Sequence, residues 1–324
     1  MQRGPADADW IAAALALSRR GRPASAPNPN VGCLIVKQGK VVARGWTQAG
    51  GRPHAEAVAL AGAGGAARGA TAFVTLEPCA HDSPRGPACS DLLIAAGVAR
   101  VVIAAQDPDS RTDGTGIARL RAAGIEVVAN LAPAEARAAM APWWTRHTEA
   151  RPFVTLKLAT SLDGAIALAD GASRWITGPR ARAHGHLERA SHQAILVGRG
   201  TLDADAPRLD VRLPGLERRS PQKLLLTRGT APDGWIAVAS PEAITDVDSV
   251  LVEGGAGAAS AFLAADRVDR LLLYRAPILI GGGRPALGDI GLADLTQAHG
   301  RWRLIDSRLL GSDRLDVYER VREG

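Results

Sequence analysis

Pro53-His54-Ala55-Glu56, together with Glu77-Pro78-Cys79 and then Cys89, decides the fold of the first half of this chain. These residues supply one imidazole and two thiolates, a donor set that suits a zinc ion with a fourth position left open. The carboxylate of Glu56 lies two residues after the histidine and need not bind the metal. We therefore predict a zinc site at His54, Cys79 and Cys89.

The spacing of these residues is typical of a hydrolytic deaminase. Zinc deaminases carry H-x-E followed by P-C-x-x-C, where zinc acidifies a water and the glutamate moves its proton to the leaving amine. The chain has the first half of this signature, but the second half is stretched to Cys79-x9-Cys89. Unrelated structural roles for the three residues are disfavoured, because the chain has 3 Cys and two of them fall at these positions.

Length and composition narrow the class of protein. A chain of 324 residues is long enough for about two domains, and 46% hydrophobic with 22% charged residues is typical of globular proteins. The 3 Cys cannot form a closed disulfide framework, so we expect a cytoplasmic enzyme. No apolar run is long enough for a membrane span. The net charge of +6, without a Lys/Arg cluster, favours a small phosphorylated substrate over nucleic acid.

Hydrophobic periodicity in the first half alternates between helices and strands, which predicts a three-layer α/β sandwich. His54 and Cys89 fall at helix starts, whose positive dipole ends favour thiolates. Cys33 is predicted to be a buried core thiol, and Trp143-Trp144 to pack either on the first core or on the second half. We expect helices over 8–20, 54–63, 90–96, 116–123 and 132–148, and strands over 31–36, 41–43, 71–75, 98–104 and 125–128.

The second half is predicted to be another α/β unit, reached through a linker at Arg151-Pro152. No internal repeat relates the halves, which indicates a fusion of unlike domains. We place the domains at 1–147 and 148–324. The expected elements of the second are strands over 153–158, 193–197, 223–226, 249–252, 270–274, 302–307 and 314–320, and a helix over 258–265.

Two sets of motifs resemble the bifunctional deaminase–reductase family of riboflavin biosynthesis, in the family's order and over nearly the whole chain. The front set is Asn28-Pro29-Asn30-Val31-Gly32, His54-Ala55-Glu56, Thr75-Leu76-Glu77-Pro78-Cys79-Ala80-His81 and Gln106-Asp107-Pro108. The rear set is Lys157-Leu158-Ala159, Ser161-Leu162-Asp163-Gly164, Ser173-Arg174-Trp175-Ile176-Thr177, Val197-Gly198-Arg199-Gly200-Thr201 and Val252-Glu253-Gly254-Gly255. The resemblance implies a cytidine-deaminase-like sandwich followed by a dihydrofolate-reductase-like α/β domain.

The resemblance also implies two reactions. The first is hydrolytic deamination of 2,5-diamino-6-ribosylamino-4(3H)-pyrimidinone 5′-phosphate, and the second is NADPH reduction of the ribosyl side chain to ribityl. Zn²⁺ and NADPH are the expected cofactors, and we expect a homo-oligomer.

One alternative is a nucleoside or tRNA-type zinc deaminase with an accessory nucleotide-binding domain, against which the long cysteine loop argues. Another is a zinc-stabilised binding protein with dead sites, against which intact Glu56 and Lys157 argue.

In the deaminase half, the resemblance implies that Glu56 moves the proton. His81 has a second interpretation, as an exposed histidine or one that supports a ligand. The loop between the cysteines is one residue longer than usual, Thr47 stands where the family often has His, and Asp109 where it often has Asn, which adds charge near the substrate. The expected substrate residues are Asn28, His81, Asp107, Asp109 and, for the phosphate, Arg85.

In the reductase half, the resemblance places Lys157, Asp205 and Glu253 around the reacting centre. Lys157 is one of 4 Lys and lies in an apolar strand, where a structural ion pair is the alternative. Arg199 or Arg228 is expected at the 2′-phosphate of NADPH. The expected substrate residues are Ser173, Arg189, Leu209, Arg212 and Glu253, with the arginines clamping phosphate. The expected cofactor residues are Ala159, Trp175, Thr201, Asp205, Arg228 and the stretch from Gly255, Ala256 and Gly257 to Ala261.

Overall fold

The protein is described by a computed structural model that covers residues 6–81 and 83–322. The chain divides into two compact units, 1–150 and 151–324, so the division falls directly before Arg151. Within the described ranges, no helix combines the length and the apolar character needed to cross a membrane.

The first unit is built on a sheet of five strands in the order β2-β1-β3-β4-β5. Strand β1 runs antiparallel to β2 and β3, whereas β3, β4 and β5 are parallel. The strands are β1 (Gly32–Lys37), β2 (Lys40–Trp46), β3 (Thr71–Val74), β4 (Arg100–Ile103) and β5 (Glu126–Val128). The helices are α1 (Asp7–Ser18), α2 (Ala55–Ala63), α3 (Cys89–Ala96), α4 (Thr115–Ala122), α5 (Pro133–Ala139) and α6 (Ala141–Glu149).

Two glycines show that helices cover both faces of this sheet. A Cβ on Gly32 would lie 2.1 Å from the carbonyl oxygen of Ala14 in α1, and a Cβ on Gly45 would lie 2.2 Å from that of Ala55 in α2. Gly45 pairs with Cys33, the neighbour of Gly32. Because successive residues of a strand face opposite sides, α1 and α2 lie on opposite faces. The predicted three-layer sandwich is confirmed.

The expected single helix over 132–148 is wrong, because it is two helices, α5 and α6, that meet at Met140. Pro142 has no backbone N–H, so it fits the first turn of a new helix better than the interior of a continuous one. Trp143 is buried in the first core, and Trp144 packs against that core. Cys33 is also buried there, as predicted.

The second unit is built on an eight-stranded sheet in the order β10-β9-β8-β11-β6-β12-β15-β14. All neighbours from β10 to β12 are parallel, and β15 and β14 are antiparallel. The strands are β6 (Phe153–Thr160), β7 (Ala165–Ala167), β8 (Ala194–Gly198), β9 (Gln222–Leu226), β10 (Ile236–Val238), β11 (Ser249–Val252), β12 (Arg270–Arg275), β13 (Arg284–Pro285), β14 (Trp302–Leu310) and β15 (Asp313–Arg320). The helices are α7 (Pro179–Arg189), α8 (Arg199–Asp205) and α9 (Ala256–Ala264), and β7 and β13 pair separately.

Helix α7 was not predicted from the sequence. Its buried residues are Ala181 and Gly185, so it packs through small side chains and carries no apolar stripe of large ones. A search for helical hydrophobic periodicity therefore passes over it. The elements β7, β10 and α8 were also missed, because each is too short to show a clear hydrophobic period.

The order of the parallel strands creates a crevice at the carboxyl ends of β8 and β11. From β8 the chain continues outward to β9 and β10, whereas β11 is followed by β12 on the other side of β6. Ligands of open α/β sheets bind where the strand order reverses in this way. Gly254 allows a close approach here, because a Cβ on it would lie 2.5 Å from that of Ala258 in α9.

Candidate active sites

The three predicted metal ligands lie together in the first unit. His54 is the residue before α2, and Cys89 is the first residue of α3. The Nδ1 atom of His54 is 3.6 Å from Sγ of Cys79 and 3.3 Å from Sγ of Cys89. A tetrahedral zinc ion with ordinary bond lengths holds a nitrogen and a sulfur ligand about 3.6 Å apart. The donor atoms, all within 4.8 Å of one another, therefore fit zinc.

The pKa values of the two thiols are shifted in opposite directions. Hydrogen bonding from Cys89, through its thiol and its backbone N–H at 3.3 Å, and from His54 lowers the pKa of Cys79 to about 4. The contact with Cys79, together with burial, raises the pKa of Cys89 well above its ordinary value. One thiolate is thus present without a cation, and the second proton leaves when a cation binds.

Asn28 lies on the other side of the imidazole. Its side-chain amide is 2.9 Å from Nε2 of His54 and donates to the carbonyl of Gly51 at 3.0 Å. Gly51 has φ +85°, and a Cβ there would lie 2.7 Å from Cγ of Asn28, so a glycine is needed for this approach. The predicted substrate residue Asn28 therefore also orients the ring of His54, leaving Nδ1 directed at the thiols.

Glu56 lies in the first turn of α2 and is 3% exposed. Burial raises its pKa to about 7, an increase to which Cys79 contributes and which His54 opposes. A carboxyl group of this kind exchanges a proton readily near neutral pH. Its position beside the ligand set matches the proton-carrying role predicted from the sequence.

Glu77 is an anchoring residue for which we predicted no role from the sequence. Its buried carboxylate accepts hydrogen bonds from the backbone N–H groups of Asp107 at 3.3 Å, Gly114 at 3.0 Å and Ile117 at 3.0 Å. It thereby attaches the loop after β4 and the start of α4 to the strand end that carries Cys79. The available signal was a charged residue shortly after an apolar strand, β3.

The loop held by Glu77 carries two predicted substrate residues. Burial raises the pKa of Asp107 to about 7, and its Oδ1 accepts from the N–H of Asp109 at 2.9 Å. Asp109 is paired with Arg111, whose Nε donates to both of its carboxylate oxygens at 3.0 Å and lowers its pKa to about 2. The charge that Asp109 adds to the site is therefore largely neutralised.

The structure also shows the surroundings of the other three deaminase residues discussed above, His81, Arg85 and Thr47. His81 is half-buried, with Nδ1 3.5 Å from the hydroxyl of Thr112. Arg85 is exposed and donates to the carbonyl of Gly50 at 3.0 Å, so it links the loop between the cysteines to the turn before His54. Thr47 is buried, and its hydroxyl accepts the N–H of Val31 at 3.0 Å, which is a structural role.

In the second unit, Glu253 is the centre of a cluster of charged side chains that includes Arg189 and Lys157. Its carboxylate accepts from Arg189 at 2.8 and 2.9 Å and lies 3.6 Å from Nζ of Lys157. Burial opposes ionisation, but Lys157 and Arg189 outweigh it and lower the pKa of Glu253 to about 2. The ion pair considered for Lys157 is thus present, at the carboxyl end of β11.

The other predicted substrate residues surround the segment at Asp210. Arg189 and His186 both contact the carbonyl of Asp210, at 3.0 and 3.1 Å. The Nε of Arg212 is 3.4 Å from Nε2 of His186. Leu209 is buried in an apolar cluster.

The predicted cofactor residues occupy the crevice between β8 and β11. The hydroxyl of Thr201 accepts the N–H of Gly255 at 2.9 Å, which joins the starts of α8 and α9. The N–H groups of Ala256 and Gly257 belong to the first turn of α9, where helices have no internal acceptor for them. Such groups, together with the glycines, fit the pyrophosphate of a nicotinamide nucleotide. Arg199 contacts Thr227 at 3.4 Å, next to the exposed Arg228.

A second group of cofactor residues is centred on Trp175, which is 66% exposed. The guanidinium of Arg182 is 4.8 Å and that of Arg174 6.0 Å from its ring. Arg174 also donates to the carbonyl of Asp205 at 2.9 Å, and Ser173 precedes it in the chain. In the described part of the chain, Asp205 forms its ion pair with Arg174 and not with Lys157. Ala159 pairs with Tyr274, two residues beyond Lys157 on β6.

Comparison with known proteins gives matches over both units. The family "Cytidine and deoxycytidylate deaminase zinc-binding region" matches residues 5–105, and "RibD C-terminal domain" matches 152–236 and 243–315. The riboflavin biosynthesis protein RibD of Escherichia coli is 38% identical, with 95% of this chain and 97% of that protein covered. RibD of Mycobacterium tuberculosis is 40% identical, with coverage of 89% and 90%.

Solved structures give the same result. Acinetobacter baumannii RibD superposes with a TM-score of 0.87 at 32% identity, covering 98% of this chain and 99% of that one. The Thermotoga maritima diaminohydroxyphosphoribosylaminopyrimidine deaminase/5-amino-6-(5-phosphoribosylamino)uracil reductase has a TM-score of 0.88 at 31% identity, with coverage of 97% and 99%.

These likenesses confirm the fold class, the two activities and the two cofactors predicted from the sequence. They do not favour a nucleoside or tRNA-type deaminase with an accessory domain, because the match includes the RibD C-terminal domain. The chain belongs to the RibD family of riboflavin biosynthesis enzymes, which join a zinc-dependent deaminase to an NADPH-dependent reductase.

Proposed function

We propose that the first unit deaminates 2,5-diamino-6-ribosylamino-4(3H)-pyrimidinone 5′-phosphate with zinc held by His54, Cys79 and Cys89. The meeting of these three donors beside the buried Glu56 is the observation that carries the proposal. Zinc, when bound, supplies a water acidified towards neutral pH. Glu56 accepts a proton from this water and delivers it to the departing amine, a role that its burial supports. We assign substrate contacts to Asn28, His81, Arg85, Asp107 and Asp109.

We propose that the second unit reduces the ribosyl side chain of the deaminated product. NADPH, when bound, supplies the hydride. Lys157 lies in β6 beside Glu253, which follows β11, and it is suited to protonate the opened sugar. We assign Asp205 to the same catalytic set. The proposed substrate residues are Ser173, Arg189, Leu209, Arg212 and Glu253. The proposed cofactor residues are Ala159, Trp175, Thr201, Asp205, Arg228, Gly255, Ala256 and Gly257.

One experiment tests both steps. The zinc-loaded protein is incubated with the diaminopyrimidinone phosphate, with and without NADPH, and the products are identified by mass spectrometry. We expect the deaminated ribosyl compound without NADPH and the ribityl compound with it. Unchanged substrate in both incubations would reject the deaminase assignment. Deamination without NADPH oxidation would reject only the reductase assignment.

We infer that the protein is a homo-oligomer that uses the outer strand β14. This strand lies at the edge of the eight-stranded sheet and exposes Leu304 by 50% and Leu309 by 73%. Open edges with apolar side chains favour pairing with another chain. Light scattering should show a smaller mass for Leu309→Lys than for wild type. Arg303→Glu, on the same strand, is the control that changes a charge without removing an apolar side chain. An unchanged mass for Leu309→Lys would contradict this interface.

We also propose the domain boundary, the location and the class of partner that we expect from the sequence. Residues 1–147 form the deaminase domain and 148–324 the reductase domain, a boundary three residues from the structural division. The three free cysteines support a cytoplasmic location, because reducing compartments preserve thiols. We expect no nucleic-acid partner, since many arginines are engaged in ion pairs within each unit.

A further inference from the structure

Arg111 lies in the loop that carries two proposed substrate residues of the deaminase, Asp107 and Asp109. Its Nε donates to both carboxylate oxygens of Asp109 at 3.0 Å, its Nη2 also donates to Oδ2, and its backbone N–H donates to Oδ1 at 3.0 Å. A guanidinium held at several points loses little further freedom when it meets a ligand. Arg111 is therefore fixed in position by the protein itself.

The two members of this pair differ in exposure. The side chain of Asp109 is 11% exposed, whereas that of Arg111 is 66% exposed. Within the described residues, the side-chain hydrogen bonds of Arg111 all go to Asp109 and use Nε and Nη2. Arginine carries five N–H donors, so Nη1 is available for an acceptor that does not belong to the protein.

The guanidinium lies on the side of the candidate zinc site. The next residue, Thr112, is buried, and its hydroxyl is 3.5 Å from Nδ1 of His81, which follows Cys79 by two residues. Hydrogen bonding to Asp109 raises the pKa of Arg111, and the charge of Cys79 adds to this increase. The exposed end of Arg111 is thus at the edge of the site where the substrate is expected.

The charge of the proposed substrate requires cations at this edge. Its phosphate carries about two negative charges near neutral pH and is repelled by an acidic side chain such as Asp109 unless a cation compensates it. Arg85, the residue assigned to the phosphate, is one exposed side chain bound to the carbonyl of Gly50. A second guanidinium suits this ligand, because its planar N–H groups match the oxygens of a phosphate.

We propose that Arg111 is a further substrate-binding residue of the deaminase, which contacts the 5′-phosphate while Asp109 holds its guanidinium in position. The proposal rests on the deaminase activity proposed above and leaves the contacts assigned there unchanged. It gives Asp109 a second task in addition to its substrate contact. The alternative is that Arg111 only neutralises Asp109, and experiment can separate the two.

The first test compares ligands with and without phosphate. Ammonia release by the zinc-loaded full-length protein is measured with the diaminopyrimidinone phosphate, and the dephosphorylated compound is assayed as a substrate or competitive inhibitor. For Arg111→Gln we expect KM for the phosphate to rise about tenfold with kcat changed less than about twofold, because a binding contact is lost. The affinity for the dephosphorylated compound should change less than about twofold. An equal loss for both compounds would overturn the proposal.

Ionic strength gives a readout that a purely structural role would not change. Salt weakens the attraction between an exposed cation and a phosphate, so KM of the wild type should rise between about 0.05 M and about 0.5 M NaCl. The rise should be shallower for Arg111→Gln, which has already lost one of the cations. Parallel salt dependence in the two proteins would contradict phosphate binding by Arg111.

A double-mutant cycle with Asp109→Asn tests simple neutralisation. If Arg111 only balances the charge of Asp109, adding Arg111→Gln to Asp109→Asn leaves KM unchanged. If Arg111 binds the phosphate, the same addition raises KM by at least about threefold. The first of these results would refute the proposal.

Controls distinguish these outcomes from misfolding. Arg119→Gln removes another ion-paired arginine of the same unit, 42% exposed and 3.3 Å from Asp91, and should retain the wild-type KM. The zinc content of each variant should match that of the wild type. If Arg111→Gln does not fold, Arg111→Lys, which keeps the charge but not the planar fork, takes its place with an expected rise in KM of about threefold. Absence of ammonia release by the wild type would instead reject the proposed deaminase function.

Discussion

At the scale of single residues, the deaminase unit places one buried carboxyl group, that of Glu56, beside the candidate zinc ligands. Glu56 is next to the zinc ligands in space, and burial raises its pKa to about 7. Its neighbours on the ligand side are Cys79 and Cys89, for which we propose a different task, the binding of zinc. Proton transfer and metal binding can therefore be separated by mutation.

Glu56→Gln should abolish ammonia release while zinc remains bound, because glutamine keeps the shape but cannot carry the proton. We expect a loss of about 10²- to 10⁴-fold. Coupled ammonia assays measure the rate, and elemental analysis measures zinc. Glu135→Gln, an exposed change on α5, is the matched control. A Glu56→Gln protein that deaminates at near the wild-type rate would exclude the role.

Zinc affinity should increase with pH. The pKa of Cys79 is lowered to about 4 and that of Cys89 is raised, so at neutral pH the metal-free pair retains the proton of Cys89. Zinc must displace this proton, so the affinity should fall about tenfold for each unit of decreasing pH. Competition with a chromophoric chelator between about pH 6 and about pH 8 measures it. An affinity independent of pH would show that Cys89 is already ionised.

At the scale of elements, both units build their sites from strand ends and helix starts. Cys79 follows β3 and Cys89 begins α3, whereas Glu253 follows β11 and Gly255 precedes α9. Such junctions combine a rigid support with backbone N–H groups that lack internal acceptors. In the first unit, Glu77 accepts hydrogen bonds from three backbone N–H groups, two at the start of α4 and one at Asp107. It thereby holds the start of α4 against the segment that carries Cys79.

Glu77→Ala should loosen the start of α4, because three backbone N–H groups lose a charged acceptor. We expect a local loss of about 1.5–3 kcal/mol, which corresponds to about tenfold or more faster amide exchange in α4. Hydrogen exchange with mass spectrometry measures this. The control is Asp91→Ala, whose exposed pair with Arg119 should contribute less than about 1 kcal/mol. Equal effects of the two changes would contradict the anchoring role.

At the scale of the whole molecule, the residues named for each candidate site belong to a single unit. The zinc donors, Glu56 and the Glu77 loop belong to residues 1–150, and Lys157, Glu253 and Arg189 belong to 151–324. A chain with one inactivated site should therefore keep the other reaction.

Mixing Glu56→Gln with Lys157→Ala chains should restore the complete reaction. The second chain supplies the deaminated intermediate, and the first reduces it with NADPH. Formation of the ribityl product is followed by mass spectrometry. As controls, Glu56→Gln alone should leave the substrate unchanged, and Lys157→Ala alone should stop at the deaminated intermediate. If the mixture forms no ribityl product although each variant retains its own reaction, the intermediate cannot pass between chains.

The fold was largely predictable from the sequence because most of its strands are short apolar runs that alternate with helical segments. The failures have local physical causes. Pro142 ends the expected long helix, and α7 packs through Ala181 and Gly185, which carry little hydrophobic signal. Trp143 and Trp144 lie on the first core, a choice that their own sequence neighbourhood left open.

The sequence by itself determined the donor set for zinc, the family and the order of the two units, because residue type and short spacing carry that chemistry. Only the tertiary structure decided which charges meet. Arg189 and Glu253 are 64 residues apart, and Glu77 and Ile117 are 40 apart. Such pairings depend on strand order and helix placement, which bring distant chain segments together. Residue identity alone does not specify them.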